Sequence, residues 1–251
     1  MTQFSPTGPG SFAIRGISHV LLDIEGTTCP VSFISQHLFP YAAEKLASFL
    51  DQKQNDATVC NLVRELANAG AGTESECQAP STVPAHKSIL PYLRWLIEQD
   101  IKLSPWKELQ GLIWRDGYES GQLIAPLFQD VPDALRQWKQ QGRVLAVYSS
   151  GSIDAQQLLY AHTTAGNLTA MFNHWFDTRI GSKKESQSYR EIATAMEAKP
   201  EQILFISDAI SELKAASNVG IKTVFSLRPG NPETENKGFA QINSFEQITL
   251  L

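Results

Sequence analysis

"HVLLDIEGTTCP", His19 to Pro30, sets a short apolar run, Val20-Leu21-Leu22, against two carboxylates one residue apart, Asp23 and Glu25, followed by Gly-Thr-Thr. An apolar run of this length bounded by turn signals reads as a buried strand. Two acids at its carboxyl end need a partner, a metal or a proton if they are buried there. If they are not buried they simply meet water. The rest of the chain decides between the two.

Downstream, strand-like and helix-like segments alternate. "RVLAVYSS" (Arg143–Ser150) is an apolar, β-branched run that stops at Ser149-Ser150-Gly151. "SIDAQQLLYAH" follows, with Ser152 placed to cap a helix start. "HWFDTRI" reads as a strand, and "YREIATAMEA" puts Tyr189, Ile192, Ala193 and Met196 on one helical stripe. "EQILFISD" (Glu201–Asp208) reads as a buried strand, "AISELKAASNVG" as a helix closed by Gly220, and "IKTVFSL" as the last strand. Such alternation builds a parallel sheet with helices on both faces, and its ligand site lies beyond the carboxyl ends of the strands. Three of those ends carry Asp23, Ser149 and Asp208, so all three point to one crevice.

Residues 35–125 differ. "YAAEKLASFL", "LVRELANA", "ILPYLRWLIEQD" and "WKELQGLIWRDGYES" are rich in helix formers, and "AGAGTESECQAPST" breaks them as a loose loop. This is a helical subdomain inserted after the first strand. The expected organisation is a core of 1–34 and 126–251 with a cap of 35–125, and Met1–Gly10 as an unordered end.

The chain has 251 residues, 42% hydrophobic and 19% charged, enough for a large core with an insertion. A formal net charge of -5 and a pI near 5.6 argue against nucleic-acid or anionic-membrane partners. No stretch approaches the roughly 20 apolar residues of a membrane span, and the start does not read as a secretory signal. Three cysteines (Cys29, Cys60, Cys77) without C-x-x-C spacing read as reduced cytosolic thiols, and the five histidines show no metal-ligand spacing. "NLT" at Asn167 matches a glycosylation acceptor that a cytoplasmic protein does not use.

Asp23-x-Glu25-Gly-Thr27, a strand ending in Ser149, Lys183, and a strand ending in Asp208 together resemble the four-motif set of the haloacid dehalogenase superfamily. The first motif there is usually D-x-D, so D-x-E-G-T-T is a departure. With "YSSGS" (Tyr148–Ser152), "FDTRIGSKKESQSY" (Phe176–Tyr189), "RPGN" (Arg228–Asn231) and "LQGLIWRDGYESG" (Leu109–Gly121), nearly the whole chain resembles the enolase-phosphatases of methionine salvage, the acireductone synthases. Each motif is weak alone; their order and spacing make the resemblance specific.

The resemblance implies an α/β fold, a Rossmann-like parallel sheet core with an inserted helical cap. It implies conversion of 2,3-diketo-5-methylthiopentyl-1-phosphate to the acireductone 1,2-dihydroxy-3-keto-5-methylthiopentene and phosphate, by enolisation and then dephosphorylation. Asp23 is then the nucleophile that forms an aspartyl-phosphate, and a cation is needed for one anion to approach another. One Mg²⁺ per subunit would be bound by Asp23, Asp208 and the Glu25 backbone carbonyl, an all-oxygen set suited to a hard ion. The Glu25 side chain is implied as general acid and base. Ser149 and Ser150 are expected to bind phosphoryl oxygens, and Lys183 to neutralise Asp23 and the phosphate. A cytoplasmic monomer is the expectation.

Plainer readings exist: Ser149 as a turn residue, Lys183 as a solvated charge, Asp208 as a helix cap. They would have to coincide in order at three strand ends. Glu212, Trp114, Arg115, Tyr118, Arg228 and Asn231 are weaker candidates: an exposed helix acid, core aromatics or a plain loop turn explain them as well. The base for enolisation stays open between Glu25 and a cap residue. Rival readings are a general phosphatase of the same superfamily on another small phosphate ester, a receiver domain, and a binding module on a dead core. Receiver domains carry their acidic pair before the acceptor aspartate and their lysine last, which is not the order here.

Overall fold

The structure, a computed structural model, describes residues 4–8, 11–70, 88–99, 101 and 103–251. From residue 71 the expected loose loop, with Cys77, lies outside the described residues, as does His86 after it. The strands are β1 (Phe4–Gly8), β2 (Ser11–Ile14), β3 (His19–Leu22), β4 (Val144–Tyr148), β5 (His174–Phe176), β6 (Ile203–Ser207), β7 (Lys222–Ser226), β8 (Ala240–Ile242) and β9 (Ile248–Leu250). The chain divides into two compact units, Met1–Ile34 with Ile124–Leu251, and Ser35–Leu123.

The first unit carries a six-stranded sheet in the order β5-β4-β3-β6-β7-β8, parallel throughout. Read by chain order this is the doubly wound arrangement, in which the chain runs outward from β3 to one edge and then returns to build the other half. β3, where "HVLLDIEG" begins, is thus the central strand beside the switch point. Alternation explains why these strands read as continuous apolar runs. Leu21, Ala146, Tyr148, Phe205 and Phe225 point to one face and pack with Tyr189, Ile192 and Leu213 of helices Ser186–Ala195 and Ile210–Ser217. Val20, Leu22, Leu145, Val147, Leu204, Ile206 and Val224 point the other way and are equally buried, so neither face is left to water. Ser152 caps helix Ile153–Ala161 as its position suggests, accepting a hydrogen bond from the Ala155 N–H at 3.3 Å.

A second sheet, β1-β2-β9, corrects the expectation of an unordered start: Phe4–Gly8 is a strand, antiparallel to β2, and β2 runs parallel to β9 with Ile14 opposite Leu250. Pro6 and Gly8 hide that strand from a propensity reading, and its partners are set by pairing across the length of the chain. Strands β8 and β9 likewise follow what reads as the last strand.

The second unit is helical: Phe39–Gln52, Ala57–Gly70, Leu90–Glu98 and Ser104–Glu119. Its buried positions fall at helical spacing, as in Val59, Leu62, Val63 and Leu66. Trp114 belongs to that core, its Nε1 donating to the Leu38 carbonyl at 2.9 Å and its ring 5.9 Å from Phe39. Tyr118 is buried as well, while Arg115 is exposed. Among the described residues no helix is long and apolar enough to cross a membrane.

Candidate active site

Register brings the chemistry together. Leu22 is opposite both Val147 and Ile206, so Asp23 emerges level with Tyr148 and Ser207, one residue before Ser149 and Asp208. The Asp23 N–H still holds the sheet, donating to the Ile206 carbonyl at 3.1 Å. Past it the chain closes a tight turn: the Ile24 carbonyl accepts from the N–H groups of Thr27, Thr28 and Cys29. Gly26 makes this turn at φ +73°, and a Cβ there would lie 2.2 Å from Asp208 Oδ2 and 2.9 Å from Asn231 Oδ1. Only glycine fits between those oxygens.

Asp23 is buried, accepting from Thr27 Oγ1 at 3.2 Å on one oxygen and from Lys183 Nζ at 2.5 Å on the other. Lys183 also pairs with Glu212 at 2.8 Å, and Glu212 accepts from Ser207 Oγ at 2.9 Å. Burial would lower the Lys183 pKa, but the charges of Asp23 and Glu212 outweigh it and keep the ammonium firmly protonated. The lysine loop is held by three hydroxyls on three successive carbonyls. Tyr148 donates to Gly181 at 2.9 Å, Ser188 to Ser182 at 2.8 Å and Tyr189 to Lys183 at 2.8 Å. A Cβ on Gly181 would collide with Ser188 Oγ at 2.2 Å.

Ser149 sits at the end of β4, its Oγ accepting from the Gly151 N–H at 3.3 Å and so keeping its own proton to donate. Ser150 beside it is exposed. Glu25 is half-buried in the turn after β3, where burial first and the Glu25 charge second push the Cys29 thiol up, which makes that thiol inert. Asp177, read as part of a strand, instead turns the chain after β5: its carboxylate accepts from the Arg179 and Ile153 N–H groups and from the Arg179 guanidinium.

Asp208 does not cap the following helix. The Ala209 N–H goes to Ser207 Oγ and the Ile210 N–H to Glu233. Among the described residues no hydrogen-bond donor meets the Asp208 carboxylate. Burial first, then the charges of Asp23, Glu212 and Glu25, push its pKa up against the opposing pull of Lys183. Glu212 is also raised, by burial first and by Asp23, with Lys183 opposing. Asn231 Oδ1, which also crowds the space a Gly26 Cβ would take, is buried without a hydrogen-bond partner. Crowded oxygens, too many carboxylates for one lysine and no nitrogen or sulfur donor fit a hard divalent cation. Among the described residues no three His, Cys, Asp or Glu side chains converge as a metal set, so a backbone carbonyl would have to complete one.

The "RPGN" turn is no plain loop. Arg228 is buried on Asp130, and Asn231 Nδ2 bridges the carbonyls of Gly26 and Ser226 at 2.9 and 3.0 Å. Glu212 was visible only as an acid one helical turn after Asp208. Thr27, Tyr148, Tyr189 and Ser207 stand inside the quoted motifs, where nothing in the sequence gives any of them a part in the site.

The sequence model of the haloacid dehalogenase-like hydrolases matches residues 17–220, so the chain belongs to that class of hydrolase. The Enolase-phosphatase E1 of Synechococcus sp. (strain RCC307) is 50% identical over 217 residues, 86% of this chain and 87% of that one. That of Drosophila ananassae is 42% identical over 237 residues, 92% of this chain and 94% of that one. The crystal structure of the UTR4 protein from Saccharomyces cerevisiae superposes with a TM-score of 0.76 at 33% identity, covering 92% of this chain and 99% of that one. Within those hydrolases the chain belongs to the enolase-phosphatase E1 family.

Proposed function

We propose that this chain is an acireductone synthase. It enolises 2,3-diketo-5-methylthiopentyl-1-phosphate and then hydrolyses the enol phosphate to 1,2-dihydroxy-3-keto-5-methylthiopentene and inorganic phosphate, a step of methionine salvage. The observation that carries the phosphatase half is the buried Asp23, held by Lys183 at the carboxyl end of the central strand.

In enolisation a proton leaves the carbon that bears the phosphate ester and the neighbouring ketone oxygen gains one, so the step is redox-neutral. An Asp23 oxygen then attacks phosphorus as the bond from phosphorus to the substrate oxygen breaks, and Glu25 protonates the departing oxygen. Water next attacks the aspartyl-phosphate, Glu25 takes its proton, and phosphate leaves with Asp23 restored. The Ser149 hydroxyl and the Ser150 N–H donate to phosphoryl oxygens, and Lys183 offsets their charge. Asp23, Asp208 and the Glu25 carbonyl would hold Mg²⁺, which when bound would supply the positive charge that lets two anions meet.

The reading includes one Mg²⁺ per subunit, a monomeric state, a cytoplasmic location, and a cap role for residues 35–125 in substrate choice. An acidic pI near 5.6 and the unpaired Cys29 and Cys60 support the location.

The test follows enol absorbance and free phosphate together after mixing protein, Mg²⁺ and the diketo-phosphate. Enol signal before or with phosphate is expected. Phosphate without an enol signal removes the enolase half, and a sugar phosphate turned over tenfold faster than the diketone replaces the substrate.

A further inference from the structure

Two buried carboxamides are used alike on the two turns that follow the neighbouring strands β3 and β4. Gln156, on helix Ile153–Ala161, is 2% exposed, and its Nε2 donates to the carbonyls of Gly151 and Phe176, both at 2.8 Å. Asn231 is 8% exposed, and its Nδ2 donates to the carbonyls of Gly26 and Ser226. In each pair one carbonyl belongs to a turn of the site and the other is the last residue of a strand, β5 or β7. In each the carboxamide oxygen is buried with no hydrogen-bond partner.

That shared geometry is chemically specific. One planar nitrogen with two protons holds two carbonyls at a fixed separation, and it does so without adding charge beside the carboxylates. The same oxygens left unpaired cost stability, and a fold keeps such a cost where geometry serves something else. An oxygen in place of either nitrogen would face two acceptors, which fixes the orientation of both side chains.

We propose that Gln156 and Asn231 are positioning residues with separate tasks. Gln156 sets the turn of Ser149 and Ser150 for binding phosphoryl oxygens, and Asn231 sets the turn that aims Asp23 and seats Gly26 against Asp208. The proposal rests on the assignment of those turns made under Proposed function.

Separate tasks make a split that general destabilisation does not produce. Gln156→Met keeps the length and removes both donors. It should raise the Kd of inorganic phosphate, measured by calorimetry with Mg²⁺ present, and the KM of the diketo-phosphate by about 10-fold or more, with kcat within about threefold. Asn231→Leu should lower kcat by about 10-fold or more with phosphate Kd within about twofold. Melting temperatures monitor folding, and Gln156→Glu and Asn231→Asp, which keep shape while turning the donor into an acceptor, replace any variant that does not fold. Phosphate Kd unchanged in the Gln156 variants, or both residues moving Kd and kcat alike, overturns the proposal while wild-type binding and turnover leave the site assignment standing. Wild-type protein that neither binds phosphate nor releases it removes the assignment and the proposal together.

Discussion

Lys183 and Arg228 are both basic residues of loop-like stretches, both are buried in the same unit, and both lie on an aspartate. Their surroundings differ. Arg228 pairs both terminal nitrogens with Asp130 at 2.9 and 2.7 Å, donates to the Asn243 carbonyl, and lies between the rings of Phe128 and Phe245 at 4.6 and 5.0 Å. Burial pushes Asp130 up, but Arg228 and the Phe245 N–H more than offset it and hold its carboxyl below the usual range. One cation meets one anion, and only the Arg228 Nε is left without a hydrogen-bond partner among the described residues. Lys183 instead faces Asp23 and Glu212 directly, with Asp208 within electrostatic reach, and two of those acids are pushed up. A balanced buried pair is a structural device. An unbalanced cluster is unstable as it stands, and it is the one with capacity for a cation and for chemistry.

The contrast breaks most easily at Asp23. Asp23→Asn should stop phosphate release, because the covalent intermediate is assigned to the Asp23 carboxylate. Removing one acid from an excess should leave the melting temperature unchanged or higher. Retained turnover in a phosphate-release assay would refute the nucleophile assignment. Next in size, Arg228→Met should cost about 3–5 kcal/mol of stability by leaving Asp130 buried and unpaired. At roughly 2–4 °C per kcal/mol for a chain of this size, thermal melting resolves it easily. Its kcat per folded molecule should match wild type, and a selective fall in kcat would erase the distinction between the two cations. Lys183→Ala should lower kcat by about 10²–10³-fold. A loss under about threefold would mean that the lysine is as structural as Arg228.

Much of this was readable before the structure, for a physical reason. Strands covered on both faces are apolar at every position, so "HVLL", "VLAVY" and "ILFIS" stand out, and polar residues appear where each strand reaches the crevice. Asp23, Ser149 and Asp208 therefore mark themselves. Lys183 does not: it lies on a loop, and only the family resemblance picks it over Lys184. Arg228 and Asp130 are 98 residues apart, and Ile14 pairs with Leu250, so no local pattern announces either contact. Gln156 and Asn231 are the extreme case. Their role depends on which carbonyls an amide nitrogen meets, and a carboxamide reads the same in a sequence whether it clamps a turn or faces water.

The smallest expected effect separates the two sites by pH. Asp208 has its carboxyl pushed up to about 8 from the usual 3.8, by burial first and by Asp23 and Glu212 next. An acid raised on folding takes up a proton between its unfolded and folded values. Its contribution is therefore most favourable below the unfolded value and declines as pH rises to the folded one. Asp130 has the opposite sign: its lowered carboxyl adds stability that is present above the ordinary carboxylate range and is lost as pH falls through the folded value. With a chelator present, the melting temperature should fall between about pH 5 and about pH 8, and Asp208→Asn should remove that slope. Saturating Mg²⁺ should shrink it, because a cation favours the charged carboxylate and stabilises the folded state by mass action. Arg228→Met should leave the neutral slope intact and flatten the acid limb instead. A flat profile in chelator across the neutral window would show that the Asp208 cluster is as balanced as the Arg228 pair, and the need for a cation would go with it.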